Sequence, residues 1–359
     1  MTHNQQETHE GLLKAVDGAM SECSATSDPT GLTTHCEYDD LQHREASTKF
    51  YEDRFAKGYV EEWPQEKKRR VAEVIGGLGL PVSGTALDYG CGNGVFTAVL
   101  QEALPNWTIE GGDLSETAVA NSSARYPHLR FYVLKEEYTG PKTYDFVFTH
   151  HVLEHVYDLD RAWEDLIGLL KPTGSMLHIL PCGNRGSLEH RLCVLRSDGI
   201  SSQRGNRFFF EDEGHLRRLS TNDLTRKAVT HGFDLARAYY ANQYYGAIDW
   251  VTASSYEFVL KLTERTNATG SWARTKLWGF RHYLAIIIRL RQFATEYERI
   301  RKKSPKALKH VAFLAGAWGL YVTSKLVNRL LKAMAAWEWE TKKEQSNGSE
   351  MYLFFAKRR

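Results

Sequence analysis

Thr85-Ala86-Leu87-Asp88-Tyr89-Gly90-Cys91-Gly92-Asn93-Gly94 decides the reading of this chain. A short apolar run, Thr85–Tyr89, reads as a buried strand. It carries an acid near its end and then three glycines at alternate positions. Val95–Leu104 follows with the spacing of a helix. Glycine between a strand and a helix permits positive φ and lets a ligand come close to the backbone. The helix start offers N–H groups that have no partner within the helix. Thr108–Asp113 is the next strand, and Asp113 ends it 19 residues after Gly94. A carboxylate at that place can accept both hydroxyls of a ribose, which favours a ligand containing a nucleoside.

The glycine spacing is G-x-G-x-G, whereas dinucleotide sites use G-x-G-x-x-G. Asp88 beside the turn would repel a pyrophosphate. It would attract a ligand that carries a cationic amine and a sulfonium. The charge argument therefore favours S-adenosylmethionine over a nicotinamide dinucleotide.

Outward from the turn, strands alternate with helices of about ten residues. Ser115–Arg125 reads as a helix, Leu129–Leu134 and Tyr144–His150 as strands, and Leu159–Leu170 as a helix with Asp158 as its N-cap. Lys171–Gly174 reads as a turn and Ser175–Leu180 as a fifth strand. Pro181–His215 is read as rich in loops. Thr221–His231 and Phe233–Tyr239 then give a helix and a sixth strand. The expected class is α/β with a mainly parallel sheet. Before the turn, Gln65–Leu78 reads as an amphipathic helix, and residues 1 to about 45 as a disordered polar leader. After the sixth strand come long helices, about Trp272–Arg301 and Ala307–Thr341, with Ser304-Pro305 between them. Glu350–Ala356 is a closing strand after the Asn347-Gly348 turn.

The 359 residues carry a formal charge of +2, and the distribution is uneven. Trp272–Lys343 holds 16 Lys/Arg and 4 Asp/Glu, a local +12, which leaves −10 for the rest. The five cysteines form no C-x-x-C pair, so no zinc site is signalled and reduced thiols in a cytoplasmic protein are expected. The start of the chain has no apolar signal core. The longest apolar runs fall short of the roughly 18–20 residues that span a bilayer.

Four segments together resemble the class I S-adenosylmethionine-dependent methyltransferases. They are Leu87–Gly94, Tyr144–Val156 (YDFVFTHHVLEHV), Leu169–Gly174, and His215–Ser220 followed by His231-Gly232-Phe233. The resemblance covers about residues 50–245 and 350–357. It implies a Rossmann-like seven-stranded sheet with helices on both faces. Its last strand runs antiparallel between the fifth and sixth, after a helical insertion. The implied organisation is a leader (1–45), a methyltransferase domain (46–246 with 349–359) and an insertion (247–348).

The resemblance also implies roles. Asp88 contacts the methionine part of the cofactor, and Gly90, Cys91, Gly92, Asn93 and Gly94 form its floor. Asp113 holds the ribose and Leu114 flanks the adenine. Glu136 is the nearest substitute for an acid expected after strand three, and His150 lies beside the methyl donor. Tyr51, Tyr59 and Trp63 belong to a segment that either covers the cofactor or packs on the sheet. Should a hydroxyl acceptor need a general base, histidine has a suitable pKa. His151 and His215 are the catalytic candidates, with His190 a further one and His155 and His178 read as structural. The absence of any base is an equal alternative. No metal is expected, because no acidic cluster suited to magnesium follows strand four. No Asn-Pro-Pro-Tyr-like stretch follows it either, which disfavours methylation of DNA bases.

The acceptor expected is a small molecule or a lipid- or glycan-linked one, methylated at oxygen. The basic aromatic insertion, 272–343, is read as a surface for the inner face of a membrane, a lid, or a homodimer contact. RNA methylation through that segment and a non-catalytic S-adenosylmethionine-binding role stay open; nucleic acid is otherwise not an expected partner.

Overall fold

The computed structural model describes residues 40–59, 63–134, 143–211, 214–302 and 314–358, the first eight of these by backbone alone. The elements run α1 (Asp40–Ala56), α2 (Gln65–Gly76), β1 (Thr85–Tyr89), α3 (Val95–Ala103), β2 (Thr108–Asp113), α4 (Glu116–Arg125), β3 (Arg130–Val133) and β4 (Tyr144–His150). They continue with α5 (Leu159–Leu169), β5 (Leu170–Pro181), α6 (Leu188–Cys193), β6 (Ile200–Ser201), β7 (Arg207–Phe208), α7 (Thr221–Thr230) and β8 (Phe233–Ala241). The chain closes with α8 (Tyr245–Ala253), α9 (Tyr256–Leu262), α10 (Ser271–Lys302), α11 (Trp318–Lys342) and β9 (Glu350–Lys357).

Seven strands form one sheet in the order β3-β2-β1-β4-β5-β9-β8, and β9 runs antiparallel to both neighbours. This is the Rossmann-like sheet the resemblance implied, with the insertion placed before the final strand. Caps mark the helix starts. The Ser115 side chain accepts from the Ala118 N–H, and the Asp158 side chain accepts from the Arg161 N–H. Ser220 and Asp223 make a reciprocal capping box.

One face of the sheet buries Trp163 and Leu166 of α5 with Leu224 of α7 against Val147, Met176 and Phe355. The other buries Val71, Ile75, Phe96 and Leu100 of α2 and α3 against Phe146, Phe148 and Tyr352. The parallel order puts the carboxyl ends of β1, β2 and β4 side by side. The reversal of order on either side of β1 makes a crevice there.

Several expectations need correction. Residues 40–45 are helical, as the start of α1, rather than leader; residues 1–39 lie outside the described set. Lys171–Gly174 does not separate a helix from a strand. It lies inside β5 as an irregularity, with Tyr144 paired to Leu170 and Phe146 to Ser175. The stretch 181–215 holds α6 and a small β6–β7 ladder. Its Leu188, Leu192, Phe208 and Phe210 form a third core with Ile248, Leu277, Leu284 and Leu331. The insertion is therefore not self-contained. It shares this core with 188–210, and Trp339 joins the core beneath the sheet. Finally, α8 and α9 precede the two long helices, and the Ser304-Pro305 junction lies outside the described residues. No described helix is long and apolar enough to cross a membrane.

Candidate active site

The glycine turn has the geometry its composition suggested. Gly90 has φ +76°, and a Cβ there would meet Val152 Cγ2 at 2.5 Å. The turn therefore needs glycine both for its backbone and for the close approach of the segment after β4. Gly94, at φ 74° and ψ 11°, is the N-cap of α3. The Gly90 and Cys91 N–H groups donate to the Gly112 carbonyl at 2.7 and 3.0 Å, which binds the turn to the end of β2.

Asp88 and Asp113 sit at adjacent strand ends on the two sides of this turn. Asp88 is buried, and its Oδ2 accepts from the Thr97 hydroxyl at 2.7 Å. The Asp113 carboxylate accepts from the Gly92 N–H at 2.9 Å and the Ser115 N–H at 3.0 Å. Burial raises its pKa, and these backbone donors oppose that rise without cancelling it. Leu114, next to it, is exposed and forms an apolar rim.

Among the described residues, Asn93 Oδ1 and His150 Nε2 near the turn are buried without a hydrogen-bond partner. Asn93 Nδ2 donates to the Tyr59 carbonyl at 3.0 Å. The His150 ring stacks on Phe96 with centroids 3.7 Å apart and meets the Trp63 edge at 4.8 Å. Burial first, then the charges of Lys67 and His151, hold its pKa well below the usual value, so the ring is neutral. Two orphaned polar atoms and two acids around a glycine turn fit a polar, cationic, nucleoside-bearing ligand.

The helix α1 and the segment after it lie over this crevice. Glu52 accepts from the Ser115 hydroxyl at 2.5 Å and the Thr117 N–H at 3.1 Å. Trp63 lies over His150 and His151 and stacks on Trp250 at 6.2 Å. Tyr51 meets the His155 ring edge at 5.7 Å.

His151 stands at φ 54°, a left-handed conformation uncommon for a residue with a side chain. Its Nδ1 is 3.0 Å from Glu154 Oε1 and its Nε2 is 3.2 Å from Glu350 Oε1. Although burial acts the other way, these two carboxylates raise its pKa to about 9. Both nitrogens lie close to acids, an arrangement that favours the protonated ring. Sequence reasoning offered His151 as a general base, and the structure places it between these two acids.

Sequence reasoning missed the network behind it. Glu350, buried on β9, binds Lys67 and accepts from the Tyr352 hydroxyl at 2.6 Å. Burial lowers the Lys67 pKa to about 8 against the pull of Glu350. Lys67 and Glu350 are 283 residues apart, and no local pattern connects them.

His215 does not join His150. It stands edge-on to His155, with ring centroids 4.6 Å apart, beside the buried Glu154. Burial would raise the Glu154 pKa, but the surrounding imidazoles bring it down to about 2. His190, on α6, lies against Phe208, and burial followed by the charges of Arg185 and Arg218 lowers its pKa. His178 is buried and bonds Thr149 at 2.8 Å. Glu136 lies outside the described residues. Arg218 fastens the 181–215 stretch to the domain, through Glu189 at 2.7 Å, Glu211 at 2.5 Å and the Cys182 carbonyl at 2.8 Å.

A family model described as a methyltransferase domain matches residues 58–238, which is 181 of the 359 residues. The chain belongs to the class I S-adenosylmethionine-dependent methyltransferases. This methyltransferase is 30% identical over 128 residues to trans-aconitate 2-methyltransferase of Methylobacterium radiotolerans, covering 35% of the chain and 49% of that protein. It is 28% identical over 132 residues to the Variovorax paradoxus protein of the same name, covering 36% and 51%. The chain thus spans about half the length of the curated relatives it matches. A crystal structure of a putative sarcosine dimethylglycine methyltransferase from Galdieria sulphuraria is 11% identical. It covers 87% of this chain and 98% of that one, with a TM-score of 0.43. The cofactor of the methyltransferase is S-adenosylmethionine.

Proposed function

We propose that this chain transfers the methyl group of S-adenosylmethionine to an oxygen of a small-molecule or lipid-linked acceptor. The observation that carries the reading is the pair of carboxylates, Asp88 and Asp113, held at neighbouring strand ends on either side of the positive-φ glycine turn. In this account Asp88 draws the cationic amine of the methionine moiety, directly or through water. Gly90, Cys91, Gly92, Asn93 and Gly94 line the floor, Asp113 takes the ribose hydroxyls and Leu114 borders the adenine. Neutral His150 lies beside the donor end. The reaction is an in-line displacement at carbon with a neutral thioether as leaving group, so alignment supplies much of the rate.

The likeness to the trans-aconitate methyltransferases supports a small-molecule acceptor. The insertion supports a lipid-linked one. Ten of the sixteen exposed large apolar side chains among the described residues lie on α10 and α11, with Trp272 68%, Leu326 65% and Trp318 61% exposed. They stand among basic residues, a pattern suited to an anionic surface. Other parts of the same helices are anchored. Buried Glu338 accepts from the N–H groups of Tyr244 and Gly246, both at 2.9 Å, and holds α11 to the start of α8.

Incubating the protein and labelled cofactor with a metabolite and lipid extract, with mass spectrometry of the products, tests the transfer. A methylated product is expected, and its absence together with absent cofactor binding overturns the reading. Flotation with anionic vesicles tests the surface. Equal flotation of the full chain and of a Trp272→Glu/Trp318→Glu/Leu326→Glu variant counts against membrane contact.

A further inference from the structure

Two buried glutamates share His151, and they differ in what else they meet. Glu350 is supplied with donors by Lys67 and Tyr352. Glu154 is 0% exposed, and neither of its carboxylate oxygens has an aligned hydrogen-bond donor among the described residues. It faces imidazoles instead. His151 Nδ1 is 3.0 Å away but out of line, and His155 Nε2 is 3.8 Å away. One ligand atom each from Glu154, His155 and His215 lies within 4.8 Å of the others. Ligands at about 2.0–2.2 Å from a zinc-type ion are themselves about 3–4 Å apart, so small rotations suffice to close the set.

We propose that Glu154, His155 and His215 form a binding site for a borderline divalent transition-metal ion such as zinc. The ring orientations suit this. His155 Nδ1 faces the Gly214 carbonyl at 2.7 Å, and a carbonyl can only accept, so Nδ1 carries the hydrogen. In the neutral ring the lone pair is then on Nε2, the atom directed at Glu154. A backbone carbonyl fixing the tautomer of a ligand histidine is the usual outer support of such sites. His215 Nδ1 is buried without a partner, 3.7 Å from Glu211, whose carboxylate is held by Arg218.

The scaffold is fastened as a metal site requires. The Leu216 N–H donates to the Glu154 carbonyl at 2.9 Å. Arg217 donates to the carbonyls of Leu153 at 3.3 Å, Tyr157 at 2.8 Å and Val156, which locks the turn after β4 to the 215–218 segment. The neighbouring cations feel the Glu154 charge but make their hydrogen bonds elsewhere, Arg217 to carbonyls and Lys67 to Glu350. Protons on the imidazoles or a metal ion would supply the direct contacts that the Glu154 oxygens lack. Two nitrogens and one carboxylate without sulfur select a borderline ion. Three protein ligands leave coordination positions open for water or for an acceptor oxygen. Use of the ion in catalysis rests on the methyl-transfer reading, but its binding does not.

The test uses the full chain, stripped with a chelator and titrated with Co²⁺ alone, followed by visible absorption and by metal analysis after dialysis against Zn²⁺. One ion per chain is expected. His155→Ala and His215→Ala, both at partly exposed rings, should weaken binding at least about 10–100-fold, the loss that even an outer partner commands. Glu154→Gln, nearly isosteric, should do the same while circular dichroism stays native. Asp113→Asn should lose S-adenosylmethionine and keep the ion, which separates failure of the two readings. A stripped chain that takes up neither Co²⁺ nor Zn²⁺ stoichiometrically overturns the proposal. So does equal affinity in both alanine variants and the wild type.

Discussion

Glu350 and Glu154 are both buried, both near the carboxyl end of β4, and both in contact with His151, yet their surroundings differ. Glu350 has its charge answered by a lysine and its second oxygen by a tyrosine. Glu154 has imidazoles in front of it and, among the described residues, no aligned donor. A buried carboxylate whose donors come from the fold is part of the fold. One that meets His155 and His215 without an aligned donor is arranged for something added. The difference separates residues that hold β9 and α2 in place from residues that can take a ligand.

The largest effect that should sharpen this contrast is at Glu350. Glu350→Gln leaves the Lys67 charge buried without its counter-ion, and losing one partner of a buried pair costs about 3–5 kcal/mol. Urea denaturation should show that loss, and a change below 1 kcal/mol would break the assignment of Glu350 to the framework. The next effect concerns His178, an imidazole with no carboxylate in its environment. Its pKa is lowered to about 3 in the fold against an ordinary 6.5, with burial as the cause. The unfolded chain therefore takes up a proton between those values that the native chain refuses. This contribution to stability is complete above about pH 6.5. It is lost as pH falls toward 3, with a slope of up to about 1.4 kcal/mol per pH unit. His178→Phe should flatten that acid limb in urea titrations, and an unchanged limb would contradict the reading. The smallest effect is at Glu154. Without metal, Glu154→Gln should cost less than Glu350→Gln, because no aligned donor is left unpaired by it. With Zn²⁺ the wild type should gain melting temperature and the variant should not. Equal gains would erase the distinction between the two glutamates.

The parts legible in the sequence were those whose signals are local. β1 and β4 fall on the apolar runs, because the middle of a buried parallel strand is mostly apolar, and β2 was placed by Ile109 and the glycines before Asp113. Asp158 and Ser115 cap the helices they were expected to cap or begin, since capping depends on residues three apart. The glycine turn was legible because positive φ and a close backbone approach constrain residue type at its positions. What stayed hidden was made by distant segments. Lys67, Glu350 and Tyr352 meet only through the β5–β9–β8 order. Glu154 and His155 meet His215 because Arg217 and the Leu216 N–H hold the two loops together. The two acids around His151 come from β9 and from the turn after β4, so no local pattern announced them. The loop-like composition of 181–215 concealed α6 and β6–β7 because their order derives from packing on α8 and α10.

The central claim is that Asp88 and Asp113 hold S-adenosylmethionine at the glycine turn, and equilibrium binding of labelled S-adenosylmethionine to the purified full chain tests it most directly. Saturable binding to the wild type is predicted, with affinity lowered at least about tenfold, one charged interaction's worth, in Asp88→Ala and in Asp113→Asn. No binding by the wild type, or equal binding by Asp88→Ala, would contradict it.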